Sequence, residues 1–253
     1  MNNAETIKKI LVTGGAGFVG THLCKILIDL GHTVCSIDLK DPATPVNGVK
    51  YVKGDVRNRG FLDELTASVD VVYHLAATVS IPLCQNDPVE SYSNNVTATL
   101  VVLEAIRNQM TNFKKKIGLV FASTAAIYGN KGDDGRSLVE SDIAEVFMSY
   151  YAAQKHASEQ AIALYNMCHG IPAIVFRFFN IYGPGQDPTS PYSGVITIYI
   201  NQAKAGKPLK MFGGGSQTRD FISVYDIAGT CASALKLPPE AWNARPMNLG
   251  TNK

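Results

Sequence analysis

Short apolar, β-branched runs alternate along the chain with longer stretches in which apolar positions recur every three or four residues. Ile10, Leu11 and Val12 make a continuous apolar run, as in a strand buried on both faces, and 17–30 then reads at helical spacing up to Gly31. Further strands are predicted at 33–37, 48–52, 69–75, 117–123 and 171–178. Helices are predicted at 88–110, with Pro88 in the first turn, and at 150–168, closed by Gly170. This alternation implies βαβ units and an α/β fold, with a mostly parallel sheet and helices on both faces.

The texture changes after Phe179. Residues 180–193 are rich in Pro, Gly, Tyr and Asn and read as a long loop. An apolar helix (195–205), a short strand (209–212), a glycine run (213–215), a helix (226–237) stopped by Pro238 and Pro239, and a strand (246–249) follow. These pieces are too small for a core of their own. The expected organisation is a main domain over 1–179 and a small substrate lobe over 180–253, interleaved with it at the C-terminal edges of the strands, where open α/β sheets bind ligands. A chain ending just past a strand predicts that the lobe is truncated.

Composition narrows the classes. Of the 253 residues, 46% are hydrophobic and 17% charged, enough apolar material for a large core and too much for a disordered chain. A net charge of +2 gives no electrostatic reason to expect nucleic acid. Five scattered cysteines without a C-x-x-C pair indicate neither a disulfide framework nor a zinc site. The longest stretch free of Asp, Glu, Lys and Arg is 160–176, interrupted by Gly170 and Pro172, which is too short for a membrane span. The N-terminal MNNAETIKK lacks the apolar core of a signal peptide, so a cytoplasmic location is expected.

The first strand runs into Thr13-Gly14-Gly15-Ala16-Gly17-Phe18-Val19-Gly20. Glycines at 14, 17 and 20 between a strand and a helix place bare N–H groups at the positive end of the helix dipole, where a pyrophosphate can sit. Asp38 closes the second strand 18 residues after Gly20, placed to bond both adenosine ribose hydroxyls and to repel a 2′-phosphate. That favours NAD over NADP, with Lys40 close by. Tyr151 and Lys155 lie four apart on a helix and so share a face. A tyrosine acting as a base near neutral pH needs its pKa lowered by roughly three units, which a neighbouring ammonium and a cationic nicotinamide can provide. Ser123-Thr124 ends the fifth strand on the edge that carries the glycine turn, and a hydroxyl there can bond the reacting oxygen.

With these motifs, G-D-V-R (54–57), H-L-A-A (74–77), N-N-V (94–96), S-T-A-A-I-Y-G (123–129), R-F-F-N-I-Y-G-P (177–184) and T-R-D-F-I-S-V-Y-D-I-A (218–228) occur in order. Together they resemble the extended short-chain dehydrogenase/reductases of the NAD-dependent epimerase/dehydratase family, in particular the nucleotide-sugar 4-epimerases. The resemblance implies a Rossmann-type doubly wound sheet, a UDP-sugar substrate and a homodimer, which relatives often form through the helices that here hold 88–110 and 150–168. It implies Asp55 and Val56 at the adenine, Leu75, Ala76 and Ala77 along the cofactor groove, Ser123 beside it, and Asn95 steadying the fourth and fifth strands. Thr124, Tyr151 and Lys155 match the family's catalytic hydroxyl, base and lysine, with Lys155 also on the nicotinamide ribose. Ser80, Asn180, Tyr192, Ser193, Val195 and Arg219 match substrate positions, Arg219 at the diphosphate and 186–196 in the loop over the uridine.

The implied reaction is 4-epimerisation of a UDP-hexose, plain or N-acetylated, by transient oxidation at C4. The loop QDPTSPYSGVI resembles the N-acetylhexosamine-accepting members somewhat more. Dehydratases of the family place Asp-Glu after the catalytic threonine and decarboxylases Ser-Glu; here Ala125-Ala126 stands there. A reductase and a non-catalytic NAD-binding regulator are the remaining alternatives, the last disfavoured by the retained Thr124, Tyr151 and Lys155.

Overall fold

The computed structural model describes residues 6–132, 135–187, 194–209, 211, 213–215 and 217–252. Its centre is a seven-stranded sheet built from β1 (Lys9–Thr13), β2 (Thr33–Asp38), β3 (Lys50–Lys53), β4 (Val71–His74), β5 (Gly118–Thr124), β6 (Ala173–Phe178) and β9 (Asn243–Leu249). The order is β3-β2-β1-β4-β5-β6-β9 and every pairing is parallel, so the chain reverses its winding between β1 and β4 and leaves a crevice at their C-terminal ends.

Alternate strand residues face opposite layers. Leu11, Val72, Leu119, Phe121 and Val175 pack under α2 (Arg59–Thr66), α5 (Ala98–Phe113) and α6 (Tyr150–His169), against Leu62, Val102, Leu103, Ile106 and Ile162. Ile10, Val12, Tyr73, Val120 and Ile174 face α1 (Phe18–Asp29) and α8 (Val224–Ser233), meeting Leu23, Leu27, Ile227 and Cys231. Each fully buried Leu or Ile contributes roughly 1.5–3 kcal/mol of transfer free energy, so the two layers hold the sheet from both sides. The Tyr73 hydroxyl crosses the second layer and donates to the Cys231 carbonyl at 3.0 Å.

The stretch 88–110 differs from the continuous helix expected. Asp87 caps a short α4 (Pro88–Tyr92), accepting from Glu90 N, and a π-turn (Ser93–Thr97) precedes α5. Asn95 is buried in that turn, and its amide bonds other segments rather than solvent. A further short helix, α3 (Ile81–Asn86), begins at Ser80, whose hydroxyl accepts from Leu83 N. Helix α6 starts at the Ser149 cap and stops at Gly170, where φ is 68°.

Beyond β6 the chain forms β7 (Asn180–Tyr182), which pairs with β8 (Phe221–Ser223), inside a region read from sequence as loop. Between them lies α7 (Val195–Lys204). Leu209 and Met211, read as strand, carry none. Residues after β8 return to the main layers as α8 and β9. No helix of the described residues is long and apolar enough to cross a membrane.

Candidate functional site

The glycine turn is built by close approaches. Gly14 N donates to Ile37 O at 2.8 Å with φ at 74°, and a Cβ there would come 2.7 Å from Ala76 N, so the turn lies directly on the end of β4. A Cβ on Gly20 would stand 2.2 Å from Gly14 O, which requires glycine where α1 meets the turn. Gly17 is the helix N-cap and offers no side-chain oxygen, leaving the opening amides of α1, at Phe18, Val19 and Gly20, without a side-chain cap. Asp38 sits at the same place, its carboxylate accepting from Ala16 N and Lys40 N at 3.2 Å each. Uncapped amides at a positive helix end, a backbone groove closed to side chains and a carboxylate at the β2 terminus form a donor and acceptor set suited to a dinucleotide.

The groove continues along β4. Leu75 N donates to Thr13 O and Ala76 N to Thr13 Oγ1, carrying 75–77 past the turn. Thr13 Oγ1 also lies 2.7 Å from His74 Nδ1, and His74 Nε2 3.2 Å from Thr99 Oγ1. Burial holds His74 down to about 3, with the Lys155 charge acting the same way, so this imidazole is neutral at ordinary pH. Asp55 is gripped by Arg57 through three side-chain contacts of 2.6–3.0 Å, and Arg57 reaches on to Glu90 and Ser93. Val56 beside it is buried in the α2/α5 layer.

Three successive residues at the end of β5 meet three residues of α6. Lys155 Nζ donates to Ala122 O at 2.7 Å, Ser123 Oγ donates to Glu159 Oε1 at 2.5 Å, and the Thr124 hydroxyl, which accepts from Ala126 N at 3.2 Å, acts on the Tyr151 phenol by favouring its ionised form. Burial pushes Tyr151 up to about 12, opposed by the Thr124 hydroxyl. Burial also brings Lys155 down to about 7, resisted by Glu159 and Cys84. The lowering of the phenol expected from Lys155 is therefore not supplied by the protein groups as they stand: the ammonium lies over the Phe121 ring, 4.6 Å from its centre, and is held by the Ala122 carbonyl. The Ser123 hydroxyl, matched by resemblance to a cofactor position, is instead turned to Glu159.

Asn95 braces the adjoining loop. Its Oδ1 accepts from Thr78 N, and its Nδ2 donates to Thr78 O and to Gln154 Oε1 at 2.7 Å. Gln154 in turn donates to Ser91 Oγ at 2.8 Å, so the residue between Tyr151 and Lys155 ties α6 to α4. Sequence reasoning missed Gln154, Glu159 and Arg177. Their signal was a polar residue within an apolar pattern: Arg177 interrupts a buried strand and so demands a buried partner.

Among the substrate candidates, Asn180, Val195 and Arg219 come together on a cavity of about 390 Å³ whose wall also includes Tyr182, Gln186 and Phe221. Asn180 lies two residues past Phe178, the partner of Thr124 in the β5–β6 pairing. Ser80 caps α3 and does not line this cavity. Tyr192 and Ser193 lie outside the described residues.

Known proteins of similar sequence and shape carry out related reactions on nucleotide sugars. A UDP-N-acetyl-alpha-D-glucosaminuronate decarboxylase of Bacillus cytotoxicus is 31% identical over 96% of this chain and 75% of its own length. The structure of a UDP-N-acetylglucosamine 4-epimerase from Methanobrevibacter ruminantium superposes with a TM-score of 0.85 at 30% identity, covering 98% of this chain and 78% of that one. A UDP-glucose 4-epimerase from Thermus thermophilus, solved with NAD, gives a TM-score of 0.82 at 31% identity over 97% of this chain and 78% of that one. The model of the NAD dependent epimerase/dehydratase family matches residues 10–250, and with the turn, crevice and β5–α6 edge in place, the chain belongs to that family and takes NAD as its cofactor.

Proposed function

We propose that the protein is a 4-epimerase of a UDP-hexose. The observation that supports this reading is the joining of β5 and α6 through Lys155 on the Ala122 carbonyl and Glu159 on Ser123, which sets Tyr151 and Lys155, one helical turn apart, against the β5 end that carries Thr124. NAD, when bound, supplies a hydride acceptor and donor for C4 of the sugar together with a positive ring charge.

Tyr151 is the base that takes the proton of the sugar 4-hydroxyl, and it returns that proton when the opposite face has been reduced. Its lowered pKa in the working enzyme must come from positive charge, because burial alone raises it. Thr124 favours the ionised phenol and orients the reacting oxygen. Lys155, held on the Ala122 carbonyl, keeps an ammonium one turn from the phenol. At the far end Arg219 pairs with the diphosphate through its planar guanidinium, and Asn180 and Val195 border the nucleotide.

Ala125 and Ala126 favour epimerisation over dehydration or decarboxylation. They follow Thr124 in a 3₁₀ turn (Ala125–Tyr128), and a methyl group can neither remove a C5 proton nor protonate a departing oxygen. The test is incubation with NAD and a panel of UDP-glucose, UDP-galactose, their N-acetylated forms and UDP-glucuronate, with product stereochemistry read by NMR. Interconversion at C4 without net NADH supports the reading; a 6-deoxy-4-keto product, release of carbon dioxide or stoichiometric NADH overturns it.

A further inference from the structure

Beneath the catalytic edge lies a group of charges that the chemistry above does not use. Glu159 and Arg177 are each about 2% exposed in their side chains and meet in a forked pair, Arg177 Nε to Oε1 at 2.9 Å and an NH2 nitrogen to Oε2 at 2.8 Å. The Ser123 hydroxyl is a third donor to the carboxylate. Arg177 continues to the Tyr128 hydroxyl at 3.0 Å and the Glu140 carbonyl at 2.7 Å, and Tyr128 donates to Asn248 of β9. Two charges buried this deeply are costly, and replacing such a pair by apolar residues is often neutral or stabilising, so their presence calls for a purpose beyond stability.

Position supplies one. Glu159 is one helical turn past Lys155 on α6, and its partners Ser123 and Arg177 are directly paired neighbours on β5 and β6. Around Lys155 the other titratable groups are Cys84 on α3, His74 on β4 and Tyr151 on its own helix. Around Glu159 are Arg177 on β6 and His156 on its own helix, the latter with Nδ1 at 3.7 Å. Among these, Glu159 is the carboxylate.

We propose that Glu159, locked by Arg177 and Ser123, is a positioning residue that sets α6 on β5 and fixes a negative charge one helical turn from Lys155. This rests on the reading of Tyr151 and Lys155 as the catalytic pair. Both carboxylate oxygens are taken by Arg177 and Ser123, so the charge stays in place while Lys155 keeps the Ala122 carbonyl. The direction of the electrostatic effect agrees: Glu159 is the largest influence holding Lys155 protonated against its burial.

The test is a pH titration of Lys155 in the full chain labelled with ¹³C-lysine, its resonance assigned through Lys155→Arg. In Glu159→Gln the midpoint should fall by about one pH unit or more, a tenfold loss of proton affinity. Ser123→Ala, which keeps the charge, should move it far less. If Glu159→Gln leaves Arg177 too exposed energetically to fold, Glu159→Gln/Arg177→Met carries no orphan charge and should show the same sign with a smaller size. A folded variant lacking Glu159 with the parent midpoint overturns the proposal. With UDP-glucose and NAD, the alkaline fall of kcat should begin at lower pH in Glu159→Gln while KM holds. A parent that turns over no UDP-hexose defeats the epimerase reading and leaves the titration result standing; an unmoved titration in a chain that epimerises defeats only this proposal.

Discussion

The β5–α6 edge and the lobe between β7 and β8 solve different problems with different materials. At the edge, Ala122, Ser123 and Thr124 each engage one residue of α6, and Lys155, Glu159 and Arg177 are buried. In the lobe, Asn180 and Arg219 are exposed, α7 buries no residue fully, and the Arg219 guanidinium donates to the neighbouring Thr218 carbonyl. The groups assigned to chemistry are held before any substrate arrives. Those proposed for recognition are exposed to solvent. Preorganisation is concentrated where a small misplacement costs most in rate.

Substitutions should separate the two regions sharply. The largest effect belongs to Tyr151→Phe: epimerisation of a UDP-hexose should drop about 10²–10⁴-fold with NAD affinity by calorimetry near that of the parent. Parental turnover in that variant would remove the edge from the chemistry. Arg177→Met should cost roughly 3–5 kcal/mol in urea unfolding, since it strands the Glu159 carboxylate in the interior. Arg219→Ala is the contrasting case, with stability changed by less than about 0.5 kcal/mol and affinity for UDP reduced by roughly 1.5–3 kcal/mol, readable by calorimetry. An equal loss of stability at both arginines would erase the distinction.

Smaller effects sharpen it further. The folded pKa of His74, near 3, lies below its ordinary value of 6.5, so the unfolded chain binds the extra proton as pH falls between them. Stability from this group is complete above pH 6.5 and should decline by about 1.4 kcal/mol per pH unit below it, a slope that His74→Gln should flatten in urea titrations between pH 6.5 and 5. Ser80→Ala should cost about 1 kcal/mol through the lost cap of α3, measured by the same unfolding. A rise in KM for a UDP-sugar without that loss would instead place Ser80 at the substrate.

Much of the edge was legible in the residues because it is written locally. The run Ile10–Val12 into Gly14, the Asp38 strand end and the four-residue spacing of Tyr151 and Lys155 all reappear in the geometry, since helical and strand periods alone dictate them. What escaped depends on distant partners. Periodicity over 88–110 could not show that Asn95 would turn its amide to Thr78 and Gln154 and open the helix into a π-turn. The three-residue strands β7 and β8 are too short to carry a period of two, and each exists through the other. Spacing placed a lysine beside Tyr151 but could not reveal that the Ala122 carbonyl would claim its ammonium.

The late position of β9 in the chain has a bearing on biosynthesis. Its partner β6 ends at Phe178, whereas β9 starts at Asn243 and pairs along Ala173, Val175, Phe176, Arg177 and Phe178. At about 5–20 residues per second, a ribosome takes on the order of 3–13 s to make the intervening segment. Through that interval the nascent chain presents an apolar β6 with one row of amides and carbonyls open, the template on which strands of other chains can add. Arg177, a charge next to the end of that row, makes β6 a poorer template for uncontrolled stacking than Ile174, Val175 and Phe176 would be alone.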